Sequence, residues 1–252
     1  MGTVDLMKIA FTVEEITRKR ETVRQDFIKK SPLISGGEIK RISGWDLELL
    51  FQLYDAYFLS HFFSRYFKGK VFFSLSTRMT KSAGKTQSPR NLAELSPEQE
   101  EYQIKMGADF FFNYGLLERD KEVNGIKTRD ALDALQLVFE HELCHLVELH
   151  CCGTSSCHQK RFKDLAFALF RHQGGYHHLP TGREIAADRF GLTTGAEVLF
   201  QHDGVLLRGF IYNINKRATV MVPDEEGAYK DQKGVRYEKW YVPLAELEKK
   251  DS

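Results

Sequence analysis

The chain has 252 residues, 42% of them hydrophobic, with 36 Lys and Arg against 35 Asp and Glu for a net charge of +1. That length holds one large domain, or a medium domain and a small one, and the near-neutral balance gives no global reason to expect a partner that is nucleic acid or a membrane surface. No apolar run approaches the roughly 20 residues that span a bilayer, so a transmembrane helix is excluded.

The N-terminus, MGTVDLMKIAFTVEE, lacks the charged and apolar regions of a signal peptide, and Gly2 is a poor myristoylation site because Leu6 stands where Ser or Thr is required. A cytoplasmic location is expected on these grounds. The four cysteines, Cys144, Cys151, Cys152 and Cys157, fall in one short stretch without a CxxC pair. That arrangement argues against a disulfide framework or a zinc ribbon and for reduced thiols, Cys157 being a minor candidate as a metal ligand.

In chain order, Val13 to Lys30 reads as an exposed, loosely attached helix, and Ser31 to Gly44 as a loop. Trp45 to Phe67 carries Leu49, Leu50, Leu53, Tyr57 and Phe58 at helical spacing, and Gly69 ends it. KVFFSLST, residues 70–77, predicts a strand. Thr80 to Gln87 predicts a polar turn or a second short strand, and Asn91 to Gln99 a loop. EYQIKM, residues 101–106, alternates as a half-buried strand does. Thr128 to His150 has the strongest apolar stripe of the chain, and Lys160 to Arg171 is a second amphipathic helix. From Gly195 to Leu247 short strands and turns alternate, with a hairpin signal at Asp203–Gly204.

Within the long helix, His141-Glu142-Leu143-Cys144-His145 is an HExxH motif. Histidines four apart lie on one helix face, so both rings can reach one metal ion, and the intervening glutamate can accept a proton from a metal-activated water. The competing reading is a polar helix face that carries these residues by chance; the apolar stripe, the length of the helix and a further histidine beyond it argue for zinc. A catalytic zinc needs a third protein ligand and an open position. His150 faces about half a turn away from His141. The glycine and third ligand of a metzincin would fall at Glu148 and Cys151, which disfavours that class. His158, beyond a loop that lets the chain reverse, is preferred over Glu184 as the third ligand. His172, His177 and His178 are weighed as aids to substrate or oxyanion and set down as loop residues; Lys216 and Arg217, with Tyr212 and Tyr237, are weighed as a basic, aromatic surface and set down as a solvated strand face.

HELCHLVELH followed by CHQKRFKDLAFALF resembles the SprT-like metallopeptidases, in which HExxH is paired with a downstream histidine and, a few residues on, an aromatic, here His158 and Phe162. The resemblance covers about Trp45 to Arg171, and LYDAYFLSHFF, KVFFSLST, AGKT and EYQIKMGADFFF look like its upstream elements. It implies zinc held by His141, His145 and His158, Glu142 as base, and EYQIKM as an edge strand that pairs with substrate. HDGVLLRGFIYNINKRATVMV and RYEKWYVPL look like a small β module attached to some bacterial members. The expected fold is therefore α+β: an extension over 1–44, a zincin-like metallopeptidase domain over 45–190, and a small all-β SH3-like or Tudor-like barrel over 195–249. The expected activity is a zinc-dependent endopeptidase acting on protein substrates. The eukaryotic relative Spartan degrades proteins crosslinked to DNA, which makes DNA a candidate partner by resemblance. The rival reading is a non-catalytic, zinc-stabilised binding protein that works through its β module.

Overall fold

The computed structural model describes residues 5–250, so the expectation at Gly2 lies outside the described residues. Two compact units divide the chain, one running up to Leu179 and the other starting at Pro180. Among the described residues no helix is long and apolar enough to cross a membrane.

The first unit opens with α1 (Val13–Lys30), started by a capping box between Thr12 and Glu15. Contrary to the expectation of a loosely attached helix, α1 buries Ile16, Val23, Arg24 and Phe27. Its polar face is held as well: Arg24 donates to Asp130 and Asp133, and Arg20 to Glu140. The sequence looked exposed because its buried face is built partly of arginines whose acidic partners lie more than 100 residues away.

The helix expected over 45–67 is two. α2 (Gly44–Phe58) ends before Ser60 and His61, both in the left-handed region, and α3 (Phe62–Arg65) follows. Asp55 explains the break: its buried carboxylate accepts from the amides of Phe63 and Ser64, each at 2.9 Å, and so starts the second helix. Next come β1 (Lys70–Ser76), β2 (Gly84–Gln87) and β3 (Glu101–Gly107), in the sheet order β1-β3-β2. β3 runs parallel to β1 and antiparallel to β2, with Thr86 opposite Ile104. The EYQIKM strand is thus central rather than at the edge, and the two edge strands are β1 and β2, the latter the strand alternative for residues 80–87. The helix α4 (Ala108–Phe112) and a hairpin of β4 (Glu122–Val123) and β5 (Ile126–Lys127) lead into α5 (Ala131–Cys152). Asp130 caps the start of α5, and Gly153, at φ +70°, ends it. α6 (Lys160–Phe170) packs back on α5.

The apolar stripe of α5 forms the centre of the core. Phe139 stacks near Tyr54, which contacts Phe58 and Phe170 in an aromatic cluster with centroids 5.0–5.9 Å apart. One face of α5 is fixed in this cluster, so the opposite face, with the HExxH residues, is presented to a cleft.

In the second unit α7 (Gly182–Phe190) precedes β6 (Glu197–His202), β7 (Val205–Ile214), β8 (Arg217–Pro223), β9 (Tyr229–Lys230), β10 (Arg236–Pro243) and β11 (Glu248–Lys249). The expected hairpin forms, with Asp203 and Gly204 both at positive φ as a two-residue turn requires. The sheet order is β11-β6-β7-β8-β10-β9, with no closing pair between β11 and β9, so the described residues form an open six-stranded sheet rather than the expected barrel. Ala186 of α7 joins its core with Val198, Ile211, Val220 and Val242, which is why α7 belongs here and not to the preceding domain. Glu184 is spent on the capping box that starts α7. Tyr212 is exposed, whereas Tyr237 packs edge-on against Phe210 and donates to Asp231.

Candidate metal centre

His141 and His145 lie one turn apart on α5 with ring centroids 4.9 Å apart, as the spacing predicts. Phe162 of α6 packs beneath both, at 5.0 and 4.3 Å, and fixes the two rings from one side. Burial in this apolar setting lowers the pKa of His141 to about 3 and that of His145 to about 4. Both imidazoles are therefore neutral near pH 7, the form that coordinates a metal.

The partners of His145 set its tautomer. The Ser155 hydroxyl donates to the buried carboxylate of Glu148, so it accepts from Nδ1–H of His145 at 2.7 Å. Nε2 is left with its lone pair toward the cleft. Support of this kind around a metal-binding histidine both orients the ring and raises its basicity. Glu148 also accepts from Arg161 at 2.7 Å and from the Ser156 amide at 3.1 Å. One carboxylate on α5 thereby pins the whole loop between α5 and α6.

That loop brings Cys157 beside the two histidines. Ligand atoms of His141, His145 and Cys157 all lie within 4.8 Å of one another, and this group could hold a metal ion. His158, the expected third ligand, is exposed and is not in the group. The residue of this loop that lies with the two histidines is Cys157, the neighbour of the expected His158. The difference is one residue of loop register, set by the Glu148 contacts and invisible to spacing arguments. Two neutral imidazoles and one thiol suit zinc, which takes nitrogen and sulfur donors. Nδ1 of His141 is buried and has no hydrogen-bond partner among the described residues. Cys157→Ser is expected to weaken zinc binding at least about 10-fold in a competition titration, whereas His158→Ala should leave it within about twofold.

Glu142 is 4% exposed and its pKa is raised to about 7 by burial, against the opposing effect of Thr86. The Thr86 hydroxyl sits 2.8 Å from the Glu142 carboxylate and 2.9 Å from its carbonyl oxygen. β2 thus lies directly on the motif. A side chain at Gly84 would put its Cβ 2.5 Å from the carboxylate, so glycine is required for this approach. The AGKT segment was noticed in the sequence; its role in seating the glutamate was not.

The cleft measures about 450 Å³ and is lined by Gly84, Thr86, His141, Glu142, His145 and Tyr176, among others. His177 also lines it, whereas His172 is buried elsewhere, 2.9 Å from Glu140. The His178 ring lies 5.2 Å from that of Tyr176. No protein-family model, curated protein or solved structure matches the chain.

Proposed function

We propose that this chain is a zinc-dependent endopeptidase of the SprT-like kind, with His141, His145 and Cys157 as the zinc ligands. The observation that carries the proposal is the meeting, in one cleft, of the close His141, His145 and Cys157 group with the buried Glu142 carboxylate held by Thr86. A purely structural site has no use for a buried carboxylate that faces the same cleft as the ligands.

Bound there, zinc would make water acidic enough to supply hydroxide near neutrality and would polarise a carbonyl. The chain's own part falls to Glu142 and β2. Glu142 takes the proton of the attacking water and returns it to the departing amine. Thr86 holds the carboxylate in place during the exchange. β2 is an end strand of its sheet, so its outer edge has no partner strand among the described residues. An extended peptide can pair with that edge through its main chain, with little demand on side-chain identity. Unfolded or loosely folded protein segments are therefore the expected substrates. DNA as a partner, and a cytoplasmic setting, rest on the sequence reading alone.

Zinc-loaded protein is expected to cleave a generic unfolded protein, to stop on addition of a chelator and to resume on restoring zinc. Cleavage that is indifferent to the chelator would count against the proposal.

A further inference from the structure

The three-stranded sheet of the first unit has one face on the core. Val71, Phe73 and Leu75 of β1 pack there, as do Tyr102, Ile104 and Met106 of β3. Gly84 and Thr86 of β2 lie on the same side, against Glu142. Strand residues alternate between faces, so Lys85 of β2 and Lys105 of β3 stand on the other one. The register sets these two lysines directly opposite each other. Lys85 is exposed and Lys105 half-buried.

Like charges opposite each other on neighbouring strands are unfavourable. Here no acid relieves them, since neither ammonium has an ion-pair or hydrogen-bond partner among the described residues. The sequence around β2 adds to the excess: residues 77–93 carry Arg78, Lys81, Lys85 and Arg90 and no Asp or Glu. Lys85 also lines the cleft, whose one acid, Glu142, lies against the opposite face of β2.

A row of side chains therefore crosses the sheet from Ser74 through Lys105 to Lys85 and stops at the open edge of β2. The next place in that row belongs to whatever strand pairs with β2. A side chain in that place stands about 5 Å from Lys85, Cβ to Cβ, while its two neighbours in sequence turn to the motif side. Lys85 sits between the two β2 residues that touch Glu142, so the place lies within about two residues of the bond that is cut.

We infer that Lys85, backed by Lys105, is a specificity-determining residue that selects peptides with an aspartate or glutamate in that place. The inference rests on the endopeptidase reading above and names its substrate class. The carboxylate supplies the charge that the row lacks. The contact is the same in bound substrate and transition state, so it acts on KM rather than kcat.

The test uses zinc-loaded protein and an extended peptide taken from a site cut in an unfolded protein, with Glu, Gln or Lys placed in turn at each residue flanking the bond. For wild type we expect Glu to be favoured over Lys about 10-fold in kcat/KM at one position, through KM, with no preference for Glu at the positions on either side. Lys85→Glu should reverse that order at the same position. The variant should fold, because residue 85 is exposed and a glutamate there faces Lys105 favourably. The readout is a ratio, so a general loss of activity does not imitate the reversal. Salt at roughly 1 M should shrink both preferences to within about twofold.

A preference for Glu that survives Lys85→Glu overturns the inference. So does a preference spread evenly over all positions, which reports net charge and not the row. A Lys85→Glu protein that keeps the peptide order but loses affinity for a single-stranded oligonucleotide also overturns it and assigns the lysines to nucleic acid. A wild type that cuts all three peptides alike overturns the inference and leaves the endopeptidase reading standing. A wild type that cuts none overturns both.

Discussion

Glu142→Gln is expected to abolish cleavage while the protein keeps its fold and its zinc. General-base removal costs about 10²–10⁴ in rate, and here the same group must also protonate the leaving amine, so the upper end of that range is expected. The substitution is nearly isosteric. The Thr86 hydroxyl, which lies 2.8 Å from the carboxylate, can donate to the new amide oxygen. Glu142 is nearly fully buried, so replacing a carboxyl by a neutral group carries no new desolvation cost. Fold and metal affinity should therefore survive, which separates catalysis from structure in one variant. The measurement is steady-state cleavage beside zinc content on the same preparation. Substantial residual activity in zinc-loaded Glu142→Gln would assign the proton transfer to another group.

Arg20→Ala is expected to be the most damaging substitution away from the cleft. Arg20 reaches Glu140 through two contacts of 2.7 Å, and Glu140, the residue before His141, is fully buried. Tyr54 donates to the same carboxylate at 2.8 Å, and His172 lies 2.9 Å away. Burial alone would push the Glu140 carboxyl up; Arg20 and His172 reverse this and hold it at about 2. Without Arg20 the chain keeps a buried charge that has lost its strongest partner. Breaking a buried pair on one side costs about 3–5 kcal/mol, a shift of roughly 10 °C in a unit of this size. The double change Arg20→Met with Glu140→Gln should recover much of that loss, because no buried charge remains. Urea denaturation of the three proteins checks both statements. A loss under about 1 kcal/mol for Arg20→Ala would show that α1 does not anchor the motif helix.

The legible parts of the chain were those governed by local pattern. The stripe of Leu132, Leu135, Phe139, Leu143 and Leu146 gave the long helix, and the four-residue spacing of His141 and His145 placed two rings on one face. The Asp203–Gly204 hairpin was legible because its turn chemistry is contained in two residues. What was not legible depended on distant partners. α1 reads as polar because Arg20 and Arg24 find their acids on and just ahead of α5. The break at Ser60–His61 depends on the backward reach of Asp55, and the placement of Cys157 rather than His158 beside His141 and His145 on how Glu148 pins a loop. The edge strand was misassigned because β1 and β3 pair in parallel across an intervening strand, an order that local alternation does not reveal.

Zinc stoichiometry tests the account most directly. Equilibrium dialysis of the purified chain against zinc is expected to give one tightly held ion per molecule, lost in the double substitution His141→Ala with His145→Ala while the fold persists. A wild type that binds no zinc, or a double variant that binds it as well as wild type, would contradict the account.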